Sequence, residues 1–233
     1  MTYRELVYMA LDALKIHSDD SKFTEDHVIF LLNKYRAYAL QQKYSKTLEG
    51  VNSKNYQKLE ILMVGNMGDR PGEGRYFIST KVIPSILNIA IPTVESEVFN
   101  AKEITFISSN RLRYVGYNKF LSNIVYGCIG NDDKLWLKGD YKIVETLYNV
   151  NLYAIFLDPL DAYNFNEDRD VLDLDFPLED TLVPSVLELV MKDLTNGIYK
   201  PSDNTNNAQD ALSDLAGFLR RNMKSQFQKQ IDE

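Results

Sequence analysis

Tyr126-Gly127-Cys128-Ile129-Gly130-Asn131-Asp132-Asp133-Lys134-Leu135-Trp136-Leu137-Lys138 is the stretch that decides the fold. Two short apolar runs flank Gly130-Asn131-Asp132-Asp133, and those four residue types are the ones that turn a chain back on itself. In Lys134-Leu135-Trp136-Leu137-Lys138 charged ends bracket an apolar centre, the pattern of a short strand with one wet face. The spacing predicts a β-hairpin. On either side the texture is the same, short apolar runs punctuated by Gly, Pro and Asn. Further strands are predicted at Leu59–Val64, Arg75–Ile78, Ile104–Ser108, Leu112–Tyr117, Ile124–Ile129 and Val150–Leu157, giving a central antiparallel sheet. Pro84 and Pro92 bar the stretch from Lys81 to Asn100 from a central strand or a long helix, and leave its structure open.

Outside this middle the period changes from two to about 3.6. Thr2 and Glu5 have the capping-box spacing, followed by Tyr3, Leu6, Val7, Ala10, Leu11 and Leu14 on one helical stripe. After a polar connector, His17 to Phe23, Thr24 can cap a second helix with Val28, Leu31, Leu32, Tyr35 and Ala39 inward. Near the other end Thr181 can cap a helix through Val183, Val186, Leu187, Val190 and Leu194, with Pro184 in its first turn and Gly197 as its stop. After a polar loop, Leu212, Leu215, Leu219, Met223 and Phe227 recur at steps of three or four. Asp210 and Asp214 stand early and Arg220, Arg221 and Lys224 late, which suits a helix dipole. Helices, then a sheet, then helices read as an α+β fold. The expected division is a helical hairpin at 1–48, a β-rich domain at 58–160, an acidic connector at 161–177 and a helical region at 178–233.

At 233 residues the chain can bury one substantial core or two small ones without a metal or disulfide. It carries 45% apolar and 25% charged residues, and no run approaches the ~18 apolar residues of a membrane span. The opening residues lack a basic segment and a small-residue cleavage site, so no secretory signal is expected. Cys128 stands alone, which excludes an internal disulfide and agrees with a reducing compartment; its expected place is a buried apolar site. The net charge is −7, yet nine acidic residues lie between Asp158 and Asp180 against Arg169 alone, which leaves the rest of the chain near +1. With no basic face, tight binding of nucleic acid is not expected. Fifteen tyrosines supply amphipathic surface of the kind enriched at protein interfaces, although Tyr also fills cores and strands.

No constellation spells a catalytic site. Four glycines lie between Gly65 and Gly74, but Pro71 and Glu73 interrupt the loop, no G-x-x-x-x-G-K-[ST] occurs, and a strand-like run follows. A loop between strands, free to order against a neighbouring subunit or to face a channel, is the expected reading. Asp168, Asp170, Asp173 and Asp175 resemble the start of a calcium loop, but its sixth position would be Asp173 instead of Gly and Glu179 would close it. The EF-hand's Gly at six and Glu at twelve are both missing. His17 and His27 fit no zinc or catalytic spacing, and no nucleophile motif is present. No enzyme activity, metal or cofactor is expected.

Four segments, in this order, carry a resemblance. They are Thr2-Tyr3-Arg4-Glu5-Leu6 with the run Thr24 to Arg36; the strands ending in Leu137 and in Phe156-Leu157-Asp158-Pro159; Phe176 to Pro184; and Pro201 to Asp210. Together they resemble ring proteins of the head-to-tail connector, or neck, of crAss-like tailed phages, and more distantly the tail-tube adaptors of podoviruses. Residues 65 to 100 add nothing to it. The resemblance implies a structural virion subunit made in the bacterial host cytoplasm, forming a homo-oligomeric ring below the portal, twelve-fold like that portal. Such a ring meets neighbouring neck or tail rings and lets double-stranded DNA pass without tight binding. On that reading Asp168, Asp170, Asp173 and Asp175 form a channel or interface strip, and Leu212, Leu215, Leu219, Met223 and Phe227 dock on a partner or pack on their own core. A head completion or cargo protein of the same particle, and a small cytoplasmic enzyme, are the alternatives.

Overall fold

A computed structural model describes residues 1–17, 23–45, 50–66, 76–96, 104–112, 114–115, 124–139, 146–166 and 170–197. The chain divides into two compact units, Met1–Lys192 and Asp193–Glu233. In the first, helix α1 (Tyr3–His17) opens on the capping box read from the sequence. The Thr2 amide donates to Glu5 Oε2 at 3.0 Å, and the Glu5 amide donates to Thr2 Oγ1 at 3.3 Å. Helix α2 (Glu25–Tyr44) begins at Thr24, whose hydroxyl accepts from the His27 amide. The connector starts later than expected, because α1 continues through His17.

Among the described residues seven strands follow: β1 (Gln57–Asn66), β2 (Tyr76–Ser79), β3 (Thr93–Glu95), β4 (Thr105–Phe106), β5 (Tyr126–Ile129), β6 (Leu135–Lys138) and β7 (Asn149–Ala154). Their order is β3-β7-β1-β2-β6-β5-β4, antiparallel throughout except for the parallel pair β4 and β5. A bridge between Val94 and Ile104 joins the two end strands, so the sheet closes on itself as a small barrel. Closure satisfies backbone groups that open edges would expose. The interior is one apolar cluster that includes Leu59, Ile61, Phe77, Leu135, Leu137 and Leu152. Gly127 faces inward on β5. A Cβ there would stand 3.2 Å from Leu137 and 3.3 Å from Ile104, so the absent side chain is what lets these strands approach.

The β5–β6 hairpin forms as its residues predict, with the Asp133 amide bonded to the Gly130 carbonyl and Trp136 Nε1 donating to Asp132 Oδ1 at 2.9 Å. Asp133 takes a left-handed φ of 53°. Two further expectations need correction. Among the described residues of Leu112–Tyr117 there is no strand: Leu112 closes a short helix, α3 (Ser109–Leu112), and Tyr114 and Val115 lie in a turn. This segment caps the outside of the barrel, where Leu112 packs with Tyr126, Cys128 and Trp136, so apolar spacing that reads as a strand serves a lid. Thr181 does not begin the C-terminal helix. That helix, α5 (Val183–Gly197), starts where the Val186 amide bonds the Leu182 carbonyl, which lets Pro184 sit in its first turn. The open stretch after Lys81 contributes β3, which starts directly after Pro92 and occupies an end of the strand order.

Candidate assembly surfaces

Row Val28, Leu32, Arg36, Leu40 on α2 runs in steps of four, and all four residues are buried. Arg36 is 0% exposed and spends its guanidinium on three backbone carbonyls: Nε on Pro177 at 2.8 Å, Nη1 on Phe156 at 2.8 Å and Nη2 on Asn55 at 3.3 Å. Burial lowers its pKa to about 10, still far above neutral pH, and nearby Asp158 is among the groups that hold the charge. Around it Tyr3 donates to Asn33, and Asn33 donates to Asp158, which also caps helix α4 (Pro159–Tyr163). One buried cation therefore ties α2 to the end of β7 and to the Phe176-Pro177 segment. Those are three of the stretches that carried the resemblance, and the tie is structural.

The acidic stretch spreads around this knot. Asp158 is half-buried in it; Glu179 is buried and accepts from Lys43 at 2.7 Å and from Tyr44 at 3.0 Å. Asp180 pairs with Lys54, a contact that holds its carboxyl below the usual range. Asp173 pairs with Arg4 at 2.6 Å, while Asp170 caps a 3-10 turn at Val171–Asp173. Asp175 is exposed and bridges Thr2 through its backbone. Asp161 is exposed as well. Asp168 lies outside the described residues, as do Leu212, Leu215, Leu219, Met223 and Phe227. Among the described residues, no group of three or more His, Cys, Asp or Glu is arranged to hold a metal ion. His27 is exposed and stacks on Phe23. Cys128 is buried against the α3 lid, and burial pushes its thiol up to about 11. Among the described residues no helix is long and apolar enough to cross a membrane.

Among the described residues, two of the exposed apolar surfaces carry no charge. On the outside of β1, Leu62 is 61% and Val64 57% exposed. The second is a trough of about 450 Å³ lined by Ile89, Ile91, Pro92, Phe106 and Ile107. Asn88 and Ile89 are shared with a hollow of about 640 Å³ beside Tyr38, Gln41 and Tyr44 of α2. A family model described as phage tail ring protein 2 matches residues 5–214 of the sequence. This chain belongs to that family, the ring proteins of crAss-like phages. Ring protein 2 of Bacteroides phage crAss001 is 42% identical over 223 residues, covering 92% of this chain and 99% of the relative. The family match takes in Arg36 and its three carbonyl partners, and it ends before Leu215.

Sequence reading missed both Arg36 and the open surfaces. The signal for Arg36 was a cation in the middle of an i, i+4 apolar row. For β1 it was Lys58, Glu60, Leu62 and Val64, an outward set that turns apolar where a wet face calls for polar residues.

Proposed function

We propose that the protein is a non-catalytic structural subunit of the phage head-to-tail connector, forming a closed ring below the portal through which genomic DNA passes. The observation that carries this reading is the match to a ring-protein family over residues 5–214, together with a relative named for a ring that aligns over nearly its whole length. Twelve copies, portal contact and a neighbouring ring above or below complete the proposal, with synthesis in the host cytoplasm. A closed barrel braced by a buried staple suits such a part, because a ring under load needs subunits that do not offer free sheet edges. Mass spectrometry and labelling of purified virions test it: the protein should copurify and localise to the neck. Absence from intact particles overturns the reading.

The acidic stretch fits into the same proposal as a surface that repels or orients charge. Arg4, Lys43 and Lys54 neutralise part of it within the subunit, so the exposed Asp161, Asp170 and Asp175 are left to act outward. It holds no calcium on this account. Adding millimolar calcium should leave the melting temperature unchanged, and a rise abolished by Asn at 168, 170, 173 and 175 contradicts it. Leu212, Leu215, Leu219, Met223 and Phe227 are proposed to dock on a partner in the neck.

A further inference from the structure

Asn55 ends a 3-10 turn (Ser53–Asn55) and Gln57 begins β1, with Tyr56 extended between them at φ −83° and ψ 145°. Residues two apart along extended chain direct their side chains to the same side. Both are buried, Asn55 at 0% and Gln57 at 7% exposure. Each spends one half of its amide on a backbone group across the knot. Asn55 Oδ1 accepts from the Glu179 amide at 2.9 Å, and Gln57 Nε2 donates to the Pro159 carbonyl at 3.0 Å. The segments that carry those partners converge on Arg36, which bonds the carbonyls of Phe156, Pro177 and Asn55 itself. Both amides therefore face the junction between the end of β7 and the Pro177–Glu179 segment.

The other half of each amide is unmatched. Asn55 Nδ2 is a buried donor and Gln57 Oε1 a buried acceptor, and among the described residues neither has a hydrogen-bond partner. Turning either amide over does not cure this. A reversed Asn55 would set its NH2 against the Glu179 N–H, donor on donor, and a reversed Gln57 would set its oxygen against the Pro159 carbonyl, acceptor on acceptor. Native interiors rarely leave such groups unmet, because each then bears the full cost of leaving water. Here the two deficits are complementary: one acceptor is needed and one donor.

That demand selects the ligand. A metal ion or an ammonium cannot accept from Asn55 Nδ2, and a simple anion cannot donate to Gln57 Oε1. Water does both, is small enough for a packed interior, and is held in buried sites by about two to four polar partners. We infer that one water molecule is a fixed part of the subunit, accepting from Asn55 Nδ2 and donating to Gln57 Oε1 beside the Arg36 staple. It links the 3-10 turn to the first residue of β1 and, through the second bond of each amide, joins Glu179 to Pro159. Arg36 ties the knot through charge and carbonyls, and the water completes it where the protein's own side chains do not reach. The site goes beyond the ring reading and does not depend on it.

A crystal structure of the wild-type chain, at a resolution that shows ordered solvent, tests the assignment. One solvent peak should lie within about 3.2 Å of both Asn55 Nδ2 and Gln57 Oε1. A direct bond between the two amides, or both atoms packed dry against carbon, overturns it. In solution, the Asn55 side-chain NH2 protons should show a nuclear Overhauser effect to water, with the sign of a molecule that stays bound longer than the protein takes to tumble. Loss of that effect in the wild type overturns the site as well. Gln57→Met removes the acceptor on an unbranched stem of similar length and should abolish the effect, whereas an effect that survives means that Gln57 does not hold the water and overturns the bridge. Should the Met variant fail to fold, the two wild-type measurements decide the matter without it.

Discussion

Arg36 shows how one residue can hold a fold while remaining invisible to a functional search. A buried cation is costly unless its hydrogen-bonding capacity is filled, and three carbonyls fill much of it. Removing it reverses the argument, because the Phe156, Pro177 and Asn55 carbonyls then lose the donor that compensates their burial. Arg36→Met keeps an apolar stem of similar length but no donor, and should destabilise the subunit by about 3–5 kcal/mol. Arg36→Lys keeps the charge but not the planar fork, and should fall between. Urea titration reads both. A Met variant as stable as the wild type would mean that the three bonds contribute nothing net. Helix periodicity made α2 legible, but the partners of Arg36 are 19 to 141 residues away in sequence, and no local pattern announces them.

At the level of elements, the legible parts were those whose signal is local. The capping box of α1, the Thr24 cap of α2 and the β5–β6 turn all follow from residues within a few positions of one another. Two-residue β4 and three-residue β3 exist because barrel closure recruits them, so their short sequences carry little strand signal. The described residues of the expected strand Leu112–Tyr117 were misread for a related reason, since an apolar lid and an apolar strand are alike until the surface beneath is known. The turn offers a test with opposite expectations at one position. Asp133 holds φ at 53°, where a β-branched side chain clashes and glycine does not. Asp133→Val should cost about 1–2 kcal/mol, whereas Asp133→Gly should stay within about 0.5 kcal/mol of the wild type. Equal losses for the two, measured by thermal melting, would show that backbone strain there is not what the turn responds to.

For the whole molecule, the sequence disclosed class and family more readily than surface. Its ordered segments resembled those of a phage ring protein before any contact was visible, and two of them, Phe156-Leu157-Asp158-Pro159 and Phe176-Pro177, meet α2 where Arg36 staples it to the barrel. The trough was not legible, since it joins the Asn88–Pro92 segment to the end of β4, whereas exposed Leu62 and Val64 lie on one strand and were within reach of a local pattern. The division at Lys192 gives a further expectation. Removing residues 206–233 should leave Met1–Lys192 folded, with a melting temperature within a few degrees of the full chain, yet unable to join the neck. A truncated chain that unfolds would mean that the stripe from Leu212 to Phe227 serves its own core. The central claim, that copies of this chain close a ring in the connector, is tested most directly by imaging the neck of intact virions at a resolution that traces strands. The account predicts a closed ring of identical subunits into whose density the seven-stranded barrel fits, with DNA on its axis. A neck in which no ring accommodates this barrel, or a barrel found only in the capsid interior, would contradict it.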